Sequence, residues 1–439
     1  MSSHALETVR PAVPPYAGPL PSPHPSISKS NSMAGVAMFN NCDIAYGAPF
    51  PASCARQAEE RFHAKRVFVI ASASLARSTT ALDELTAALG EKVAGTRVGL
   101  KAHTYFSDIL SVAKECRALS VDLIVTLGGG SLTDAAKMVS LVLANNVTQP
   151  DELLKLATAR TIETVPPGEP PKVPVVCIAT TLSAAEFTYG AGVTDDRDNQ
   201  KHQFLFPKAV HLVIFDAGLV AASTPRALFL QSGVRAIDHC VEPLCSSVGN
   251  EVSAMHAARG LAQLVPALLR CAADPRGTDV AARQMAQLAT PDSNAAVMRV
   301  YTPCGGSHAI GHMLGPFGVG HGATSAILLP AVCAYNARHG TAADVERQRA
   351  VAAILWNIPE MRALAERNGL EEGSAALGAL VDALFRALDM PRTLKEVGVG
   401  RDQFNKLAEY SLLDVWCATN PVPLMEKEQV MEILNMIAE

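Results

Sequence analysis

The sequence of 439 residues lacks the features that mark several classes of protein. Lysine and arginine number 37 against 42 acidic residues, and no basic cluster stands out, so nothing indicates a surface for nucleic acid. No apolar run reaches the roughly 18 to 20 residues that span a bilayer, and the first residues lack the charged-then-apolar order of a secretory signal. The sequence therefore predicts no nucleic-acid partner and no membrane segment.

The ten cysteines are scattered and include no CxxC pair. This distribution argues against a zinc ribbon and against a disulfide framework. We expect buried thiols in a reducing compartment and predict a cytoplasmic location.

Composition and periodicity divide the chain into three parts. Residues 1–40 are rich in proline and serine and are predicted to be a disordered or arm-like extension. Residues 41–220 alternate short apolar runs with helical periodicity, which predicts a nucleotide-binding α/β domain with a parallel sheet. Residues 221–439 have apolar residues at three- and four-residue intervals and predict a helical domain that binds the substrate. The predicted strands lie within 66–72, 96–100, 121–130, 173–181 and 209–216.

The stretch "LIVTLGGGSLTDAAK", residues 123–137, is typical of a phosphate-binding turn. Glycines 128 to 130 stand where an apolar strand stops and a helix begins, so backbone N–H groups can converge on a pyrophosphate. Ser131 can cap that helix, and Asp134 and Lys137 can reach a ribose or a neighbouring group. A purely structural turn is the alternative.

The end of the first predicted strand bears on which dinucleotide binds. An acidic side chain there would accept from the ribose 2′-OH and repel a 2′-phosphate, but the sequence has the neutral Ser72, followed by Arg77. NADPH is therefore tolerated alongside NADH, unless Arg77 is simply part of a solvated helix surface.

The stretch "SHAIGHMLGPFGVGH" places His308, His312 and His321 within a nearly uncharged, glycine-rich segment. Imidazole is a frequent ligand of transition metals and also a proton shuttle near neutral pH, so both interpretations are open at this point.

Four motifs, "GGGSLTDAAK", "IATTLSAAEFTYGAGVTD", "SGVRAIDHCVE" and "SHAIGHMLGPFGVGHGATSAILLP", together resemble the iron-containing alcohol dehydrogenase superfamily, most closely its maleylacetate reductase branch. The resemblance covers roughly residues 43–425. It implies a dehydroquinate synthase-like architecture, in which a Rossmann-like parallel sheet domain precedes a helical C-terminal domain, and assembly as a homodimer. It also implies reduction of a small molecule by NADH or NADPH.

The resemblance further implies the residues that hold the cofactor. By position, the pyrophosphate would contact the turn, the nicotinamide would lie beside the second motif, and Ser183 would lie nearby. The residues so implied are Gly129, Gly130, Ser131, Asp134, Lys137, Thr180, Thr181 and Leu182, to which the sequence pattern adds Ser72.

Metal-dependent members of the superfamily use one aspartate and three histidines. His239, His308 and His321 match the histidine positions, but Arg235 stands where the aspartate is expected. A unit charge about 5 Å from a divalent ion costs on the order of 7 kcal/mol at an effective dielectric near 20. We therefore predict that no metal binds and that the guanidinium replaces the ion, holding a carboxylate or the developing oxyanion.

The catalytic set predicted from the sequence is Arg235, His239, His308, His312 and His321, with His312 as the general acid. The resulting hypothesis is a metal-independent NAD(P)H-dependent reductase of a small anionic or conjugated keto substrate, similar to the reduction of maleylacetate to 3-oxoadipate. Two alternatives stay open: a metal-dependent alcohol or aldehyde dehydrogenase using three histidines, and a non-redox lyase on the same scaffold.

Overall fold

The computed structural model describes residues 7–14, 16, 39–101, 104–158 and 168–439. The chain forms two compact units and passes from the first to the second between Thr224 and Pro225. Most of the predicted extension over 1–40 lies outside the described residues. Its described part contains strand β1 (Thr8–Pro11), which pairs antiparallel with β2 (Asp43–Tyr46), so this stretch differs from the expected unstructured arm.

The first unit contains a seven-stranded sheet in the order β1-β2-β9-β6-β5-β3-β4, in which all neighbours except β1 and β2 run parallel. The central strands are buried along their whole length, which explains their continuous apolar, β-branched runs. The five strands predicted from the sequence correspond to β3 (Val67–Ala71), β4 (Val93–Val98), β5 (Leu123–Gly128), β6 (Val175–Ala179) and β9 (Val210–Phe215).

A separate two-stranded ribbon, β7 (Ala191–Thr194) and β8 (Lys201–Phe204), was not predicted. Its strands are only four residues long, so their alternation is too short to stand out in the sequence. The helices of this unit are α1 (Phe50–Glu60), α2 (Ala73–Ser78), α3 (Ala81–Leu89), α4 (Phe106–Ala118), α5 (Gly130–Ala144), α6 (Pro150–Leu154) and α7 (Ala217–Ser223).

The second unit is helical, and its described residues from Pro225 onward include no strand. The predicted architecture, a parallel sheet domain followed by a helical domain, is thus confirmed. The helices are α8 (Arg226–Cys245), α9 (Glu251–Ala273), α10 (Val280–Met298), α11 (Gly306–Leu314), α12 (His321–His339), α13 (Ala342–Trp356), α14 (Pro359–Arg367), α15 (Leu377–Ala387), α16 (Phe404–Ser411) and α17 (Lys427–Met436).

Two predictions drawn from composition can be compared with the fold. All ten cysteines are buried as free thiols. Across the described parts of the chain, every helix is too short or too polar to cross a bilayer.

Candidate active site

The predicted phosphate-binding turn joins β5 to α5 and leaves no room for side chains. Gly128 has a φ of +154°, and a Cβ there would lie 2.7 Å from Leu132 Cδ1. A Cβ on Gly130 would lie 2.5 Å from Ser183 Oγ. The turn therefore requires glycine, and the first N–H groups of the fifteen-residue helix α5 are free of a capping side chain.

The segment after β6 lies against this turn, as the resemblance implies. The Thr180 N–H donates to the carbonyl of Gly128 at 3.0 Å, and Thr181 Cγ2 lies 3.2 Å from the position a Cβ of Gly129 would take. The hydroxyl of Ser183 is buried with no hydrogen-bond partner among the described residues, while Leu182 is 1% exposed. The structure thus brings together the glycines and residues 180–183.

Lys137 was expected to reach a cofactor, but its ammonium group is fully buried and is hydrogen-bonded to other groups of the protein. Nζ donates to the carbonyl of Ala185 at 2.9 Å and to the hydroxyl of Thr188 at 3.1 Å, and it also bonds the carbonyl of Gly190. Asp134 Oδ1 lies 2.9 Å from the same nitrogen. Lys137 therefore fixes the 185–190 segment, and any effect it has on a cofactor is transmitted through that segment.

The remaining predicted cofactor residues lie nearer the surface. Ser131, the second residue of α5, is exposed, and Asp134 is half-buried. Ser72 lies between β3 and α2, and its hydroxyl lies 2.9 Å from that of Ser74. The exposed Arg77 follows on α2.

In the helical unit, the four predicted histidines form one continuous row. The rings of His239 (α8) and His308 (α11) stack with centroids 4.9 Å apart. His308 meets His312 edge-on at 6.4 Å, and His312 meets His321 edge-on at 6.5 Å. The structure therefore brings together three helices at the place where sequence reasoning put the chemistry.

Arg235 is turned away from solvent, since its side chain is only 12% exposed, and its charge helps to lower the pKa of His239. Nη1 donates to Ser325 Oγ at 3.1 Å and lies 3.8 Å from Asp238 Oδ2. Asp238 is fully buried, accepts from Ser307 Oγ at 2.9 Å and lies 3.3 Å from His308 Nδ1. The guanidinium therefore has a fixed place with a buried carboxylate one helical turn away.

Glu242, one turn beyond Asp238 on α8, holds the start of α11. Its carboxylate accepts the backbone N–H groups of Gly305 at 2.9 Å and Ser307 at 2.8 Å. It also lies 2.7 Å from His308 Nδ1. An anion at a helix N-terminus is favourable, and the contact assigns a proton to Nδ1 of His308. Nε2 of His308 is buried and has no partner among the described residues.

The buried groups differ in charge. Burial alone would raise the pKa of Asp238, but the facing His308 and Arg235 lower it to about 2. Burial and Arg235 oppose a charge on His308, yet Asp238 raises the pKa of this imidazole well above its ordinary value. Burial, together with His308 and Arg235, lowers the pKa of His239 well below its ordinary value. Asp238 thus favours the charged form of His308, and burial favours the neutral form of His239.

Sequence reasoning missed residues 414–420, which lie along α11. Asp414 Oδ2 lies 2.8 Å from His312 Nδ1, and Asn420 Oδ1 accepts the Gly306 N–H at 3.0 Å. The indole of Trp416 packs against His312, with ring centroids 5.2 Å apart. Burial lowers the pKa of His312, and Asp414 partly offsets this effect. No local motif marks these residues, since they lie about a hundred positions from the histidines they contact.

The superfamily's metal cage does not fit these residues. Among the described residues, two groups of three ligand atoms lie within 4.8 Å of one another, and neither is the set His239, His308 and His321. One of these groups consists of Glu242, Cys304 and His308. The hydrogen bond between His308 Nδ1 and Glu242 explains why these two residues lie close together. The guanidinium of Arg235 takes the position where a carboxylate ligand is expected.

Two family comparisons decide the relationship. Residues 50–217 match the family described as iron-containing alcohol dehydrogenase, and residues 229–438 match the Fe-containing alcohol dehydrogenase family, C-terminal. The chain belongs to the iron-containing alcohol dehydrogenase family. It is an oxidoreductase, and membership in this family does not support the non-redox alternative. The family is typically NAD(P)-dependent and usually binds iron or another metal, so family membership does not support the prediction of metal independence.

Similar proteins in this family include two fungal dehydrogenases. The chain is 36% identical over 420 residues to dehydrogenase FUM7 of Gibberella moniliformis, covering 90% of this chain and 96% of that protein. It is 37% identical over 397 residues to dehydrogenase ALT3 of Alternaria alternata, covering 85% and 99%. A crystal structure of maleylacetate reductase from Agrobacterium tumefaciens superposes with a TM-score of 0.69 at 24% identity, covering 90% and 95%, and shows the same fold.

Proposed function

We propose that this oxidoreductase reduces a small anionic or conjugated keto substrate with NADH or NADPH, without a metal ion, in the manner of maleylacetate reduction to 3-oxoadipate. The observation that carries the proposal is the inward guanidinium of Arg235, 12% exposed and 3.1 Å from Ser325, at the position where the family's metal ligand is expected. An arginine cannot ligate a cation, but it binds a carboxylate through two parallel N–H donors.

The first unit would hold the dinucleotide at the glycine turn. The free N–H groups at the start of α5 suit a pyrophosphate, and the unpartnered hydroxyl of Ser183 offers it a further hydrogen bond. Thr180, Thr181 and Leu182 would line the nicotinamide. Neutral Ser72 with Arg77 close behind supports acceptance of NADPH as well as NADH.

The helical unit would supply the cationic groups and the proton. Arg235 and the charged His308 place two positive groups in the row, which suits a substrate carboxylate and the oxyanion that grows as hydride arrives. His239 lines the same site as a neutral ring. His312 would give a proton to the carbon that becomes carbanionic, with His321 at the outer end of the row.

The test is oxidation of NADPH and of NADH by the purified protein with maleylacetate, with and without a strong chelator. The proposal expects turnover that the chelator leaves unchanged, in protein without stoichiometric metal. Loss of activity on chelation, with recovery on adding iron or zinc, would overturn the role given to Arg235.

A metal-dependent alcohol or aldehyde dehydrogenase is the second candidate. It is favoured by two buried ring nitrogens, Nδ1 of His239 and Nε2 of His308, that have no partner among the described residues. Elemental analysis of freshly purified protein and oxidation assays with short alcohols distinguish it from the first candidate. For either candidate we propose a cytoplasmic location, which the ten buried free thiols support. We also propose a homodimer, the assembly that the resembled superfamily usually forms.

A further inference from the structure

His312 is held at one ring nitrogen by a carboxylate from a distant segment. Its Nδ1 lies 2.8 Å from Oδ2 of Asp414, while the other oxygen, Oδ1, accepts the backbone N–H of Trp416 at 3.0 Å. The Asp414 side chain is 14% exposed and the His312 side chain 32% exposed. An ionised carboxylate only accepts hydrogen bonds, so this contact requires the proton on Nδ1.

The ring is also held on its face. The indole of Trp416 lies 5.2 Å from the ring of His312 at an interplanar angle of 35°, and its Nε1 donates to Oη of the buried Tyr301 at 2.9 Å. The same segment fastens to the loop before α11, because the hydroxyl of Thr419 donates to the carbonyl of Cys304 at 2.7 Å. Of the contacts the structure describes for His312, none involves Nε2 as a hydrogen-bonding atom. The fixed ring thus leaves Nε2 for a ligand.

We propose that Asp414 is a positioning residue of the reductase, which holds His312 with its proton on Nδ1 and leaves Nε2 directed at the reacting molecule. This inference rests on the proposed function. Hydride from NAD(P)H adds to the substrate carbon and yields NAD(P)⁺ and an enolate. His312, whose side chain is 32% exposed, takes a proton from solvent on Nε2, and the Nε2–H bond of the resulting imidazolium then breaks as its proton forms the new C–H bond. The imidazole left behind keeps Nδ1–H on Asp414, so the ring need not turn between the two states.

The alternative is that Asp414 only caps the short 3₁₀ turn Val415–Cys417, through its bond from the Trp416 N–H. Two substitutions separate these roles. Asp414→Ser keeps a capping hydroxyl but is too short to reach His312. Asp414→Asn keeps the cap through its one carbonyl oxygen but turns its amide nitrogen, a donor, toward Nδ1 of His312, so that Nδ1–H loses its acceptor.

The deciding experiment records two-bond ¹H–¹⁵N spectra of the full-length protein labelled with ¹⁵N-histidine, with the His312 signals assigned through His312→Gln. The proposal expects the Nδ1–H tautomer in the wild type, and the Nε2–H tautomer, which free imidazole side chains prefer, in both Asp414→Asn and Asp414→Ser. A wild-type His312 with the proton on Nε2, or an Asp414→Ser spectrum like that of the wild type, overturns it. If a variant fails to fold, the wild-type spectrum by itself still decides whether the proton of His312 lies on Nδ1.

Kinetics give the second readout. With maleylacetate, Asp414→Ser should lower kcat by about one hundredfold and leave KM within about twofold, since general acid catalysis contributes roughly 10²–10⁴. Adding His312→Gln to Asp414→Ser should lower kcat little further, because the two residues act together. If kcat of the double variant falls by the product of the two single effects, the two residues act independently and the pairing is contradicted. Absence of turnover in the wild type refutes the proposed function, while the tautomer spectra still decide the role of Asp414.

Discussion

The imidazoles of His239 and His308 stack with ring centroids 4.9 Å apart, one from α8 and the other from α11. Asp238 and Glu242 hold the far side of His308, at 3.3 and 2.7 Å from Nδ1. Asp238 raises the pKa of His308, whereas burial lowers the pKa of His239, so the two rings favour different charge states. Two neighbouring histidines of the row therefore offer different groups to a substrate, one that favours a positive charge and one that favours a neutral ring.

Replacing Arg235 by the aspartate of the family should weaken the reduction of maleylacetate and create a metal site. Arg235→Asp removes the guanidinium from the site and restores a carboxylate one turn before His239. We expect kcat/KM for maleylacetate to fall by about 10²–10³, the loss typical of removing a group that stabilises a developing oxyanion. The variant should retain zinc or iron on purification, measured by elemental analysis. Arg235→Lys is the control, which keeps the charge, should bind no metal and should lose less activity. Stoichiometric metal in the wild-type protein would contradict this prediction.

The buried ion pair should make stability depend on acid pH. The pKa of Asp238 in the folded protein is about 2, below its usual 3.8, so its stabilising contribution is present above pH 3.8 and disappears as the pH falls through 2. A difference of this size corresponds to about 2 kcal/mol. Urea unfolding followed by fluorescence reports the helical unit, because both tryptophans, Trp356 and Trp416, lie there. The free-energy gap between the wild type and Asp238→Asn should narrow as the pH falls below 4, and a gap that is unchanged between pH 5 and pH 3 would refute the prediction.

Lys137 should matter for the first unit as a buried anchor. Lys137→Met removes the ion-pair partner of Asp134 and a donor from the carbonyls of Ala185 and Gly190, which are left with Thr188. Breaking such a buried charged contact typically costs about 3 kcal/mol or more. We expect faster hydrogen exchange in the peptide containing 185–190 and a raised KM for NADPH. Lys172→Met, which removes an exposed pair with Glu169, is the matched control and should change neither.

The glycine turn can be tested by the smallest added group. Gly130→Ala would place a Cβ 2.5 Å from Ser183 Oγ, so the helix start or residue 183 must move. We expect NADPH to bind about tenfold more weakly, equivalent to about 1.4 kcal/mol, measured by quenching of protein fluorescence or by calorimetry. Gly315→Ala is the control, because its Cβ would meet nothing within 4 Å. Equal NADPH affinity in both variants would argue against a cofactor at this turn.

Local patterns were sufficient for five of the seven strands of the sheet and for the glycine turn. The buried strands β3, β5, β6 and β9 are continuous apolar runs, and the turn follows from three glycines between a strand and a helix. The four-residue spacing of His308 and His312 already placed both on one helix face. The other contacts of these histidines could not be predicted from local sequence patterns. The carboxylate of Asp238, for example, reaches Ser307 and His308 because α11 packs against that side of α8.

The sequence by itself determined the two-part architecture, the family and the identity of the four histidines and Arg235, because each follows from residues close together in the chain. Only the tertiary structure decided which groups give these residues their charge and orientation. Glu242 lies 66 positions from His308, and Asp414 lies 102 positions from His312. Such partners are brought together by helix packing, which depends on the whole core and leaves no short-range mark in the sequence.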